Sequence, residues 1–150
     1  MNNYQSIKIA IVISTFNKDV SDGLLKGAAN KFNEFSNEKN NLLVFSVPGA
    51  FEIPGAVTKV LSTRKDIDAI VTLGCVIKGE TAHFDYISSS VTDSISNISS
   101  KANIPIIYGV LTTYNYEQAL IRSDINQKNK GGEVMESAFK TIDTYRNIEL

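Results

Sequence analysis

A lone cysteine, Cys75, rules out an internal disulfide and any zinc site built from several thiolates, and it makes a reduced, cytoplasmic setting the expectation. Long apolar runs are missing too. The longest early one, Ile9 to Ile13, falls far below the roughly 18 residues of a membrane span, so no membrane association is expected. The opening MNNYQSIKI has no cationic segment followed by a long apolar one, the pattern of a secretory leader. Basic charge is in short supply: 15 Lys and Arg against 16 Asp and Glu leave a net charge of -1 with no long basic run. Counterion release, which dominates affinity for nucleic acid, then has little to draw on, and nucleic acid is excluded as a partner. One histidine, His83, among scattered carboxylates offers no metal-ligand spacing of the H-E-x-x-H kind. Internal repeats and low-complexity linkers are also absent, so the chain reads as one domain, 1–150. A chain of this length buries roughly 68–70% of its unfolded surface, enough for one substantial core.

Four short apolar segments stand out: IKIAIVI (7–13), LLVFSV (42–47), IDAIVTLG (67–74) and IPIIYGVLT (104–112). They are rich in β-branched and aromatic residues and do not alternate cleanly, the pattern of strands covered on both faces in a parallel sheet. Helical spacing fills the gaps. Leu24, Ala28, Phe32 and Phe35 mark one face after Asp19; Val57, Val60 and Leu61 mark another after Pro54, which suits a first helical turn. Ile87, Val91, Ile95, Ile98 and Ala102 form a third stripe. A fourth helix is expected from Asn115, a good N-cap, and a fifth from about Gly132 to the end. Alternating strands and helices with right-handed crossovers give an α/β three-layer α-β-α sandwich, flavodoxin-like, with a four-stranded parallel sheet and helices on both faces.

Ligands bind such sheets beyond the carboxyl ends of the strands. There the first strand delivers Ser14-Thr15-Phe16-Asn17, the second Pro48-Gly49-Ala50-Phe51-Glu52, and the third the stretch LGCVIKGETAHFDYI. The fourth leads through Tyr108 to Thr112-Thr113. Gly79-Glu80-Thr81, at a helix start, could hold a phosphate on unpaired backbone N–H groups and the Thr81 hydroxyl; equally, Thr81 could simply cap the helix. His83 sits beside it. A histidine's unperturbed pKa of about 6.5 suits it to move protons in both directions near neutral pH, and the alternative is a histidine hydrogen-bonded into a helix start. Phe16 reads as core or as a stacking surface. Phe51-Glu52, between Pro48 and Pro54, lies in a stiff turn that presents a carboxylate to ligand hydroxyls. Arg122 and Lys130 read as surface charges or as anion ligands. Arg122 lies seven residues beyond Asn115, roughly 10 Å down its helix, so a neighbouring subunit's anion is easier for it to reach than its own. Ser88, Ser89 and Ser90 follow the histidine without a G-x-S-x-G elbow, which argues against a serine hydrolase, and Cys75 reads as a buried small residue.

Taken together, STFN, VPGAFEIP, LGCVIKGETAHFDYI, GVLTT and Arg122 with NKG resemble the lumazine synthase family, in order and with compatible spacing from about residue 7 onward. The resemblance implies condensation of 5-amino-6-(D-ribitylamino)uracil with 3,4-dihydroxy-2-butanone 4-phosphate to 6,7-dimethyl-8-ribityllumazine, the penultimate step of riboflavin biosynthesis. It implies no cofactor and no metal. By the same resemblance Phe16 stacks on the pyrimidine, Ala50, Phe51 and Glu52 hold the ribityl chain, and Val76 and Ile77 meet the pyrimidine edge. Gly79, Glu80 and Thr81 bind phosphate, Arg122 of an adjacent subunit clamps it with Lys130 close by, and His83 shuttles protons. The expected assembly is a homopentamer with sites between subunits, a unit that in some members builds larger shells, and riboflavin synthase is the expected further partner. Two departures are visible. Tyr108, expected with Lys130 among the residues that bind the ribitylaminouracil, stands where the family usually has phenylalanine, with stacking retained and an added hydroxyl that needs a partner, and the linker SDINQKN (123–129) lacks the glycines common there. Two rival readings are a non-catalytic lumazine or riboflavin binder and the related archaeal-type riboflavin synthase.

Overall fold

The computed structural model describes residues 3–150. Four strands, β1 (Ile9–Ser14), β2 (Leu42–Val47), β3 (Ala69–Ile77) and β4 (Ile106–Thr113), form one all-parallel sheet in the order β2-β1-β3-β4. Five α-helices connect and follow them: α1 (Lys18–Phe35), α2 (Ile53–Thr63), α3 (His83–Lys101), α4 (Tyr116–Ser123) and α5 (Lys130–Glu149). This is the expected α/β three-layer sandwich of flavodoxin-like type.

Successive residues of a strand point to opposite faces, and β1 divides its side chains between two cores on that rule. Ile9, Ile11 and Ile13 meet Leu24 and Phe32 of α1 and Met135 and Phe139 of α5, with α4 adding Ala119. Ala10 and Val12 meet Val57 and Val60 of α2 and Val91 and Ile95 of α3. Coverage on both faces holds along β1 and almost all of β3, but not at the sheet edges, where Val44 of β2 and Tyr108 of β4 are exposed. An edge strand has a neighbour on one side only, so the layers above and below it run out.

Three expected boundaries are corrected. β3 does not stop at Gly74: parallel pairing with β4 continues through Val76 opposite Thr112 and Ile77 opposite Thr113, which draws Cys75, Val76 and Ile77 into the sheet. β4 runs from Ile106 to Thr113 rather than over 104–112, with Tyr108 inside it. α5 begins at Lys130 rather than near Gly132, because Asn129 caps it: its side-chain oxygen accepts from the Gly132 N–H at 3.3 Å. The glycine-free linker closes on Asp124. Its backbone carbonyl accepts from Gln127 N at 3.0 Å and Asn129 N at 2.9 Å, and its carboxylate from Asn126 N at 2.8 Å and the Gln127 amide at 2.9 Å. The left-handed conformation such a turn needs falls on Asn129, at φ 44°, one of the few residue types that adopt it readily.

Candidate active site

The connection leaving β1 runs to β2 on one side and the connection leaving β3 runs to β4 on the other, so the two diverge between the carboxyl ends of β1 and β3. A crevice opens at such a point. In this fold it holds a cavity of about 490 Å³. Phe16 and Asn17 line it from the β1–α1 loop, and Cys75, Val76 and Ile77 from the end of β3. A short 3₁₀ turn after β2, Ala50–Glu52, adds Ala50, Phe51 and Glu52 with Gly49 before it, and α3 adds His83 and Ile87.

Each wall follows from local chemistry. Pro54 sits in the first turn of α2, where its missing N–H costs nothing, and holds the 3₁₀ turn against the helix start. Within that turn Glu52 Oε2 accepts the Gly49 N–H at 3.2 Å. A carboxylate has about four acceptor positions, so this bond steadies the group and leaves capacity for ligand hydroxyls. Phe16 is 83% exposed, which overturns its reading as a core residue; Phe51 is exposed beside it. His83 is the first residue of α3, and its N–H reaches the Thr81 hydroxyl at 3.4 Å, while Ala82 occupies the N-cap position. Gly79, Glu80 and Thr81 are exposed on the segment that joins two lining elements, β3 and α3. Ser88 spends its hydroxyl on the Phe84 carbonyl at 2.6 Å, an ordinary back-bond within a helix rather than a bond to His83.

Six expected site residues are absent from this cavity's lining: Gly79, Glu80 and Thr81, on the segment between β3 and α3, and Arg122, Lys130 and Tyr108, which stand elsewhere in the chain. Arg122, in the last turn of α4, donates from Nη1 to the Gln118 carbonyl at 3.1 Å. Lys130, at the start of α5, pairs with Glu133 at 3.0 Å. Tyr108 lines a separate groove between β4 and α3. The described lining of the main cavity therefore contains a carboxylate and an imidazole but no Lys or Arg.

The model of the 6,7-dimethyl-8-ribityllumazine synthase family matches residues 6–146 of the chain. The chain belongs to that family. It is accordingly a transferase of riboflavin biosynthesis, a lumazine synthase.

In this synthase four lining residues had no place among the residues expected to act: Asn17, Gly49, Cys75 and Ile87. Ile87 was within reach of sequence reasoning, since it lies one helical turn beyond His83 on the same face. Asn17 and Gly49 directly flank expected site residues. Cys75 was hidden by its apolar context, which is also what sets its chemistry. Burial pushes the thiol from its ordinary value near 9 up to about 11, against a weaker opposing pull from the hydrogen bond with the Thr113 hydroxyl. A thiolate is the reactive form, so Cys75 is expected to resist alkylation by iodoacetamide at pH 8 in the folded protein and to react once the chain is unfolded in urea. Rapid alkylation of the native protein at that pH would refute the burial argument. The sign of the linked stability follows: from about pH 9 to about pH 11 the unfolded chain loses this proton and the folded chain keeps it, so stability falls with rising pH across that window. Cys75→Ala should flatten that part of the pH profile.

Proposed function

We propose that the chain condenses 5-amino-6-(D-ribitylamino)uracil with 3,4-dihydroxy-2-butanone 4-phosphate to 6,7-dimethyl-8-ribityllumazine, in sites completed between adjacent subunits of a homopentamer. The observation that carries this reading is the cavity itself: an exposed aromatic, a steadied carboxylate and an imidazole converge without any cation in the described lining. A substrate phosphate carries close to two negative charges and requires one. Arg122 and Lys130, both turned away from their own cavity, supply it from the next subunit.

In the proposed complex Phe16 stacks on the pyrimidine and Val76 and Ile77 meet its edge. Ala50, Phe51 and Glu52 take the ribityl chain, whose hydroxyls match the free acceptor capacity of Glu52. The phosphate lies at Gly79, Glu80 and Thr81, near the positive end of the α3 dipole. Arg122 of the neighbour clamps it with Lys130 nearby, and Tyr108 of the neighbour closes over the pyrimidine. Imine formation, phosphate departure and ring closure with loss of water are largely proton transfers, for which His83 serves as relay, and holding the two substrates in register supplies much of the remaining acceleration. Residues 1–150 act as one domain, in the cytoplasm, with riboflavin synthase as the consumer of the product. Among the described residues no helix is long and apolar enough to cross a membrane.

The test is direct. Purified protein is mixed with both substrates and lumazine absorbance is followed against a protein-free control. Acceleration supports the synthase reading; saturable lumazine binding without acceleration would replace it with a binder. Arg122→Ala is expected to raise KM for the butanone phosphate by about 10-fold or more, the scale of one lost charged hydrogen bond, and to leave KM for the uracil substrate unchanged. Co-assembled Arg122→Ala and His83→Ala subunits should recover part of the lost activity, because some mixed sites then receive both wild-type groups. An unaltered KM in the single variant removes Arg122 from the clamp.

A further inference from the structure

Tyr108 carries a hydroxyl that needs a partner, and the fold provides one: Thr92 Oγ1 lies 2.8 Å from Tyr108 Oη. We propose that Thr92 is a positioning residue for substrate binding, fixing through this bond the plane of the aromatic ring that Tyr108 presents to the neighbouring subunit's cavity. The inference rests on the inter-subunit site proposed above and adds to it a residue with no counterpart role where the ring lacks a hydroxyl.

The need for a pin follows from where Tyr108 stands. Along β4 it shares a face with Ile106 and Val110, which are buried in the core formed with α2 and α3. Tyr108 itself is 41% exposed on the outermost strand, so packing covers only part of its ring. Rotation about the bond joining a tyrosine ring to its Cβ is soft and roughly twofold, and a half-covered ring is free to use that softness. A hydrogen bond at the far end of the ring restrains the tilt as well as the direction of the side chain. Thr92 is well placed to hold it. The preceding Val91 and the following Ile95 are both buried, so the hydroxyl is offered from an anchored turn of α3. That helix also carries His83 and Ile87 into the cavity of its own chain. The Thr92–Tyr108 bond thus couples the helix that builds one site to the ring that closes the next.

The experiment is a double-substitution cycle on the full, assembled protein, with KM for the ribitylaminouracil, kcat and lumazine Kd as readouts. Thr92→Val, which keeps the shape and removes the hydroxyl, should raise KM and Kd about fivefold, the worth of one net hydrogen bond, with kcat little changed; Thr92→Ser should restore both. Tyr108→Phe should give a similar rise, and adding Thr92→Val in that background should change nothing more. Equal effects of Thr92→Val in both backgrounds would overturn the proposal, since Thr92 would then act on packing alone. So would an unchanged KM in Thr92→Val when Tyr108→Ala raises it. If Tyr108→Ala leaves KM for the pyrimidine unchanged, the placement of Tyr108 at the neighbouring site fails, and the role of Thr92 fails with it. Sedimentation velocity checks that each variant assembles. Should Thr92→Val not do so, Tyr108→Phe against wild type still decides, because an unaltered lumazine Kd there refutes any use of the hydroxyl pair.

Discussion

His83→Ala is expected to slow lumazine formation about 100-fold, toward the lower end of what general acid–base catalysis supplies, while lumazine binding changes little. The imidazole is the one basic nitrogen among the side chains of the described cavity lining, and the other titratable groups there are poor substitutes. Glu52 already accepts a backbone N–H and belongs to the turn after β2, and the Cys75 thiol is held far from ionisation by burial. The binding surfaces, by contrast, come from other elements: Phe16 from the β1–α1 loop, Val76 and Ile77 from β3. Removing the imidazole therefore leaves the substrates in register, and the acceleration due to that register remains. The fold should tolerate the change, since His83 is exposed at the first position of α3 and alanine is the better helix former. Steady-state kcat with both substrates saturating, together with a fluorescence titration with lumazine, separates the two effects. An unchanged kcat removes His83 from the mechanism, and an equal loss of lumazine affinity would assign it to binding instead.

The second large effect is on stability. Gly131→Ala is expected to cost about 3 kcal/mol, at the upper end of ordinary overpacking, and to lower Tm by about 6–12 °C at the 2–4 °C per kcal/mol usual for a chain of this length. Helix propensity alone argues the reverse, because alanine in place of glycine inside a helix gains up to about 1 kcal/mol. Contact decides the sign. Gly131 lies where α5 crosses α1, and an added Cβ would run into the Leu24 carbonyl oxygen, with the carbonyl carbon at 2.8 Å. Those are backbone atoms of a buried residue, so no rotamer change relieves them; α1 and α5 must separate, which loosens the contacts of Phe32 and Phe139 beneath them. Gly55→Ala is the matched control. Gly55 lies exposed in α2 with nothing within 4 Å of the position an alanine Cβ would take, so that substitution should raise Tm slightly. Thermal melts of both variants beside wild type test the argument, and a Gly131→Ala protein as stable as wild type would refute it.

These two sites differ in how far they can be read from the chain alone. His83 stands out because it is the only histidine and follows an apolar strand and a glycine-bearing turn, both local features. The role of Gly131 is invisible locally: it follows Lys130 at a helix start, and only the crossing of α1 gives it meaning. The same contrast runs through the fold. Asn115 is legible as a cap, and its side chain does accept the Gln118 N–H at 2.8 Å. The start of α5 differs from its expected place because Asn129 caps it from a left-handed conformation that its neighbours do not announce. The end of β3 differs because pairing with β4, some 35 residues away, rather than composition, decides where that strand stops.

The sequence by itself determined the alternation of strand and helix, the parallel sheet, and the identity of the groups delivered to the carboxyl ends of its strands. Each of those depends on periodicity, caps and turn residues, which act over a few positions. The tertiary structure decided which of those groups meet. The order β2-β1-β3-β4 opens a crevice between β1 and β3, where Phe16, Glu52 and His83 face one cavity. The same order puts β4 on the outside, so Tyr108 turns to Thr92, and α4 and α5 hold Arg122 and Lys130 away from their own cavity. Convergence of that kind is set by contacts between residues far apart in the chain, and no local pattern of side chains encodes the distance between them.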